Sequence, residues 1–236
     1  MKSLGLQHPE RIELTERGVA EDRRFYLVDE TGGLVGGVKH GTLVQILPDW
    51  DGVSRLALGF PDGARVEGDV ELGDRLETDF YGKRSVAGRL VRGPWADALS
   101  EYADAPLSLV RVEDSSYALD ISAATMVSER SLRALGDLDG RRFRMLFELE
   151  GCQAFEEDTW SGSLVRAGSA LLRLGGPVPR CAVTTQDPAT GLRDHDTLRS
   201  IRELRGRSED GRIYFGMYAD VAVQGAVALG DAVSPA

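Results

Sequence analysis

Val178-Pro179-Arg180-Cys181-Ala182-Val183-Thr184-Thr185, followed at once by Gln186-Asp187-Pro188-Ala189-Thr190-Gly191, puts a lone cysteine beside an arginine at the edge of a β-type run. Pro179 has a fixed φ and biases Val178 toward extended geometry, which can hold the next residues in a defined bend. A thiolate beside a fixed positive charge is a good metal ligand or nucleophile, and Arg180 would lower the thiol pKa if its charge lies close. The competing reading is a buried small hydrophobe, as free cysteines often are. The local sequence leaves both open. Asp187 to Gly191 has the composition of a turn, and Thr184 offers a hydroxyl to that turn or to a ligand. The other cysteine, Cys152, follows Gly151, has no basic neighbour and reads as a packing residue.

Outward from this segment the chain reads as mainly β with a few helices. Strands are expected at Arg24–Val28, Thr42–Leu47, Arg55–Phe60, Ser85–Val91, Leu107–Val112, Phe143–Leu149, Leu171–Leu174, Ala182–Thr185 and Ile213–Val223, with turn chemistry at Asp29–Gly33 and Pro61–Gly63. Trp95, Ala98, Leu99 and Tyr102 fall at helical spacing. Ser128 is a candidate N-cap for a helix that stops at Gly136. Leu198, Ile201 and Leu204 share one face of a third helix, closed by Gly206. Many short strands suggest a barrel or sandwich core. The acidic stretch Val112-Glu113-Asp114-Ser115-Ser116 is the candidate boundary, dividing the chain into 1–112 and 113–236.

The 236 residues are enough for a core without staples. Two cysteines make no disulfide framework, so a reducing, cytoplasmic compartment is expected. There is no apolar stretch of membrane length. A net charge of −10 argues against a nucleic-acid groove or attraction to an anionic membrane. Yet Arg23-Arg24, Arg141-Arg142 with Arg144, and Arg180 are local concentrations. They are either solvated surface charges or a set suited to a small anionic ligand, since Arg matches phosphate bidentately. The three histidines fit no metal spacing, and phosphate-loop, dinucleotide and nucleophile-elbow motifs are absent. The acidic run Phe155-Glu156-Glu157-Asp158-Thr159-Trp160 lacks the histidines of a transition-metal site, and reads as a loop whose carboxylates orient an arginine or cap a turn.

Arg142-Phe143-Arg144, then Phe155 to Trp160, then Pro179-Arg180-Cys181 with Thr184-Thr185-Gln186-Asp187-Pro188 and Thr190-Gly191, resemble the MOSC domain in order and spacing. That family is named for the C-terminal domain of molybdenum cofactor sulfurase. Phe215-Gly216-Met217-Tyr218 and Gly230-Asp231-Ala232-Val233 resemble its end. The N-terminal half is similar to the β-rich domain that precedes MOSC in the amidoxime-reducing subgroup. There Lys2-Ser3 resembles the close of a "PVKS" opening, and Asp22 to Val28 resembles a "DRxW/FxLV" strand.

The resemblance implies a MOSC-type β-barrel core with an N-terminal β-rich domain, and binding of the molybdenum cofactor. It implies Cys181 as molybdenum ligand and catalytic residue, with Lys2, Ser3, Arg23, Arg24, Arg142, Arg144, Asp158, Arg180 and Thr184 on or beside cofactor positions. The implied activity is reduction of N-hydroxylated compounds such as amidoximes, hydroxylamines or N-hydroxylated bases. No flavin or iron–sulfur motif is present, so an external donor is implied: a reductase, a ferredoxin or a cytochrome b5-like protein. The alternative is a sulfur carrier in which a Cys181 persulfide, charged by a desulfurase, delivers sulfur to an acceptor. The chain departs from the family at Met145-Leu146, where the pattern has Pro-Asn, and at Gly37-Val38-Lys39-His40, where it has a T-x-R.

Overall fold

The computed structural model describes residues 1–113 and 117–236, so Asp114, Ser115 and Ser116 of the acidic stretch lie outside the described residues. The chain forms two compact units. The first is built from Met1–Gln7, Glu21–Asp120 and Ala189–Leu192, and the second from His8–Ala20, Ile121–Pro188 and Arg193–Ala236.

The first unit is organised by the strand Phe25–Val28, which is buried at all four positions. Its residues alternate between two cores: Phe25 and Leu27 join Leu56, Leu58, Trp95 and Leu99, while Tyr26 and Val28 join Phe80, Val86 and Val110. A strand with period-two side chains and apolar groups on both faces must lie inside its sheet. It does: the order is Leu34–Val35, Phe25–Val28, Ser108–Val112, Arg84–Arg92, Glu71–Phe80, with antiparallel pairings. A second antiparallel sheet joins Leu47–Trp50, Arg55–Gly59 and Arg65–Asp69. The helix Trp95–Ala103 buries Trp95 and Leu99, as its spacing predicts.

Thr42–Leu47 is not a strand. It forms the 3-10 turn Gly41–Gln45, and extended structure begins at Leu47. The fully buried residues here are Leu43 and Ile46, three apart. That is the repeat of a 3-10 turn and not the alternation of a strand.

The second unit carries a six-stranded sheet ordered Phe147–Leu149, Ala124–Ser128, Tyr214–Val223, Ala170–Pro179, Leu164–Ala167, Val233–Pro235. It comes close to closing as a barrel, and the whole is a mainly β, MOSC-type fold. Inward positions Met126, Val165, Ala167, Leu172, Leu174, Met217 and Ala219 form its core. A three-stranded sheet is completed by Arg11–Thr15, which pairs with Gly225–Ala228 near the far end of the chain.

Ser128 is the expected N-cap, accepting the Ser131 amide at 3.1 Å for the helix Glu129–Ala134. Thr197–Arg205 is capped by Asp196 and ends at Gly206. Its apolar face is narrower than the sequence implies, because Ile201 is buried while Leu204 is 44% exposed. Phe143–Leu149 divides into a 3-10 turn, Gly140–Phe143, and a short strand, Phe147–Leu149. The break is at Arg144, whose backbone is left-handed. Ala182–Thr185 is likewise a 3-10 turn. Thr184 and Thr185 turn their hydroxyls back onto the Cys181 and Ala182 carbonyls at 3.1 and 2.7 Å, a local bond that competes with a ladder. Among the described residues no helix is long and apolar enough to cross a membrane.

Gly191 closes the sequence block that opens at Arg180. Its φ is +73°, and a Cβ there would stand 2.0 Å from the Gly41 carbonyl oxygen of the same unit. Gly191→Ala is therefore expected to lower stability by about 2–4 kcal/mol, through left-handed strain plus a backbone clash. Urea denaturation checks this, and a loss under about 1 kcal/mol contradicts it.

Candidate functional site

The strand Ala170–Pro179 delivers the chain to Cys181, the residue that opens the turn Ala182–Thr185. Cys181 is free and exposed. Its carbonyl accepts from the Thr184 amide at 3.2 Å and from the Thr184 hydroxyl at 3.1 Å. Thr184 is buried, and its own carbonyl accepts from the Thr197 hydroxyl at 2.7 Å. The backbone of Cys181 is thus pinned from below while its side chain is left outside. The competing reading, a cysteine that only packs, does not fit an exposed position.

Arg180 points its guanidinium into the protein. Nε donates to the Phe215 carbonyl at 2.8 Å, Nη1 to the Phe143 carbonyl at 2.9 Å, and Nη2 contacts the Met145 sulfur. The group lies 5.4 Å from the Phe143 ring centroid. Desolvation pushes its pKa down to about 10, against the opposing influence of Tyr218 and Cys181. At neutral pH it remains charged, and that charge is spent on backbone carbonyls.

The Gly140–Phe143 turn packs against the Ala182–Thr185 turn and brings Arg142 beside the cysteine segment. Arg142 is 7% exposed. It grips Asp194 bidentately, at 2.7 and 2.5 Å, with Asp187 at 3.8 Å. The Asp194 hydrogen bonds hold the arginine above its ordinary pKa, and the same bonds hold the Asp194 carboxyl below the usual carboxylate range. Arg142 Nε is buried with no hydrogen-bond partner. Arg144 sits half-buried at the left-handed end of this turn. Asp158, on the 3-10 turn Glu156–Trp160, accepts from Arg205.

The remaining candidates belong to the first unit. Lys2 is buried, bonded to Asp120, with Nζ 5.6 Å from the Phe80 and Tyr81 ring centroids. Ser3 and Arg23 have left-handed backbones, and Arg23 donates to Asp22 at 3.0 Å. Arg24 is buried beside Glu21 and 5.4 Å from the Tyr117 ring.

Three participants escape a sequence reading. Asp194 lies 52 residues from the arginine it holds. Met145, a departure from the family pattern, contacts Arg180. Glu157, in the same turn as Asp158, is fully buried and accepts from Ser131 at 2.8 Å. A candidate N-cap serine followed three residues later by Ser131 is the visible part of that network. Cys152 behaves as its surroundings imply: burial first, then Glu156 and Glu157, push its thiol pKa up.

One rapidly reacting thiol is therefore expected when the folded chain meets Ellman's reagent at neutral pH. Cys181→Ser removes the fast phase, whereas Cys152→Ser leaves it; two fast phases in the parent would contradict this. The Arg142–Asp194 pair carries a pH signature. Because folding depresses the Asp194 pKa, its contribution is complete above an ordinary carboxylate value of about 4 and fades as pH falls through the folded value. Asp194→Asn should flatten the acid limb of a stability–pH curve below about pH 4, measured by thermal unfolding at fixed ionic strength.

The MOSC domain model matches residues 105–234, more than half of the chain. Over 127 residues the chain is 33% identical to mitochondrial amidoxime reducing component 2 of Rattus norvegicus, a match covering 48% of this chain and 37% of that protein. Mitochondrial amidoxime-reducing component 1 of Danio rerio is 25% identical over 248 aligned positions, covering 92% of this chain and 74% of that protein. Molybdenum cofactor sulfurase of Anopheles gambiae is 27% identical, covering 89% of this chain and 31% of that protein. The chain thus spans little more than a third of the rat protein it matches. The domain match takes in the arginine-held turn, Cys181 and the strands that present it, and on that match the chain belongs to the MOSC domain family.

Proposed function

We propose that the chain is a molybdenum-cofactor-binding oxidoreductase that reduces N-hydroxylated compounds (amidoximes, hydroxylamines or N-hydroxylated bases), with Cys181 as the protein's metal ligand. The observation that carries this reading is the exposed, unbonded Cys181 thiol on a backbone pinned by Thr184. The donor set suits the group. A thiolate is a soft ligand of the kind such metals take, and on the turn that packs against the cysteine segment the buried Arg142 Nε is a donor without a partner. Among the described residues no cluster of three or more His, Cys, Asp or Glu could hold a metal. A metal on Cys181 would therefore take most of its ligands from an organic cofactor and not from the chain.

When bound, the cofactor supplies the two-electron chemistry that removes oxygen from an N–OH group. The chain's own residues orient and hold. Arg180 anchors the segment from beneath and fixes where the thiol emerges. Thr184 prevents the cysteine backbone from swinging. Arg142 would offer its buried, unpartnered Nε to an anionic part of the cofactor, with Arg144 at the end of the same turn, and the resemblance adds Asp158. The resemblance is what adds Lys2, Ser3, Arg23 and Arg24 to the contacts. With two cysteines in the chain, electrons would come from a separate reductase, ferredoxin or cytochrome b5-like partner.

A sulfur carrier needs the same exposed cysteine, so the test separates the two. Protein made in a host that synthesises the cofactor is expected to hold stoichiometric molybdenum and to reduce benzamidoxime. Cys181→Ala should abolish that activity, by a factor of about 10³ or more. Metal-free protein whose intact mass shows a reductant-sensitive extra sulfur on Cys181 would establish the carrier instead.

A further inference from the structure

The second unit contains a cavity of about 300 Å³. It lies over the last cross-strand pairs of the two strands that lead to the cysteine, Pro177 opposite Met217 and Pro179 opposite Tyr214. Pro177, Met217 and Tyr214 line it, and Cys181 follows the second pair by two residues. One side is therefore apolar, with an aromatic ring and a methionine of the kind that accept a flat ring. The Tyr214 ring is held in place, because its hydroxyl donates to Asp210 at 2.7 Å. Asp210 in turn accepts from the Ser208 hydroxyl and the Arg212 amide.

The other side is charged. Asp158 and Arg205 line it as a bonded pair, with the Arg205 guanidinium 4.7 Å from the Phe155 ring centroid. Arg207 lines it too, and is exposed. Arg199, Arg205 and Arg212 around it each have a carboxylate, and among the described residues Arg207 has none. In a chain of net charge −10, an unpaired arginine on a concave surface is where an anion gathers.

We infer that this cavity is the substrate pocket of the Cys181 centre, and that it takes a single-ring N-hydroxylated compound bearing a carboxylate. The ring lies on Pro177 against Tyr214, over the edge of the core at Met217, and the carboxylate meets Arg207. The volume sits at the lower end of the range of ligand pockets, which suits one ring and disfavours a fused polycycle. Arg207 presents a planar fork to the carboxylate. Only the N-hydroxyl part of this inference rests on the reading given under Proposed function; recognition of the ring and its carboxylate does not need the metal.

The test is equilibrium binding to the full chain, followed by calorimetry, of benzamidoxime, its para-carboxylate derivative and inorganic phosphate. The carboxylated ligand is expected to bind about tenfold or more tightly than benzamidoxime. Arg207→Ala should bring that ratio to near one and Arg207→Lys should retain most of it, while phosphate should not displace the ligand. In the metal-loaded enzyme, Arg207→Ala should raise KM for the carboxylated substrate about tenfold and spare its kcat, the pattern of a lost binding contact. Equal affinity for the two ring ligands, an equal loss for both on substitution, or displacement by phosphate would overturn the inference. Protein from a cofactor-synthesising host that holds no molybdenum and does not reduce benzamidoxime would sink the redox reading, and a preference for the carboxylated ligand retained in that protein would leave the pocket standing.

Discussion

Everything around the cysteine depends on the guanidinium of Arg180. It ties two stretches of chain: the Gly140–Phe143 turn and the residues just after it, through the Phe143 carbonyl and Met145, and the strand Tyr214–Val223, through the Phe215 carbonyl. A guanidinium holds these donors fixed in one plane, a geometry that the compact ammonium of lysine does not reproduce. Burying that charge is costly, which is why its pKa falls to about 10, and the carbonyl bonds are what offset the cost. Gly216 belongs to the same arrangement. At φ +73° its missing Cβ would otherwise stand 2.4 Å from the Met145 methyl and 3.4 Å from Arg180. The arginine that looks in sequence like an electrostatic activator is first a structural anchor, and the thiol emerges where it does because its neighbour is tied down.

A second tie runs parallel to the first. Arg142 is fixed by Asp194, and Thr184 by Thr197. Both partners lie within or just before the helix Thr197–Arg205, which packs on the cysteine turn. Below them, Ser128, Ser131 and Glu157 form a buried chain of hydrogen bonds that seats the turn bearing Asp158. The polar side chains near Cys181 are thus largely committed to one another. Such committed groups pre-organise a site, because little has to move when a ligand arrives.

The parts of this structure legible in the sequence are those where the local pattern and the tertiary demand agree. Phe25–Val28, Arg55–Gly59 and Ser108–Val112 are strands by composition and by placement. The helix Glu129–Ala134 begins at the serine that its side-chain chemistry marks. The two expected strands that turn out to be 3-10 turns share one cause. Thr42-Leu43-Val44 and Val183-Thr184-Thr185 are rich in β-branched residues, which favour strands by propensity. A three-residue burial repeat at Gly41–Gln45 and threonine hydroxyls at Ala182–Thr185 impose the tighter turn instead. Long-range partners are invisible for a different reason: nothing local to Arg11–Thr15 indicates that it pairs with Gly225–Ala228. The same holds for Asp194, whose acidity is ordinary until Arg142 meets it. At Met145-Leu146 the departure from the family pattern is visible in sequence, but its use is not. Met145 covers Arg180, and the Leu146 amide donates to Thr125 at 3.0 Å, so two positions are given over to holding the arginine and the strand beside it.

The two cysteines show what that scaffold achieves in an acidic chain. Cys152 sits half-buried among packed side chains with Glu156 and Glu157 nearby, and both burial and charge oppose its thiolate. A thiol placed at random on a surface of net charge −10 would meet similar company. Cys181 is exposed and has different neighbours in the chain. Residues 178–185 contain no acid, and the carboxylates that follow, Asp187 and Asp194, both face Arg142. Arg142 therefore does two things at once. It ties the turn to the cysteine segment, and it neutralises the negative charge that would otherwise lie closest in sequence to the thiol. Loss of Asp194 alone would free a buried cation, whereas loss of Arg142 alone would remove the cation that both carboxylates face. The second change is the more disruptive, because it also unties the Gly140–Phe143 turn from the segment that carries Cys181.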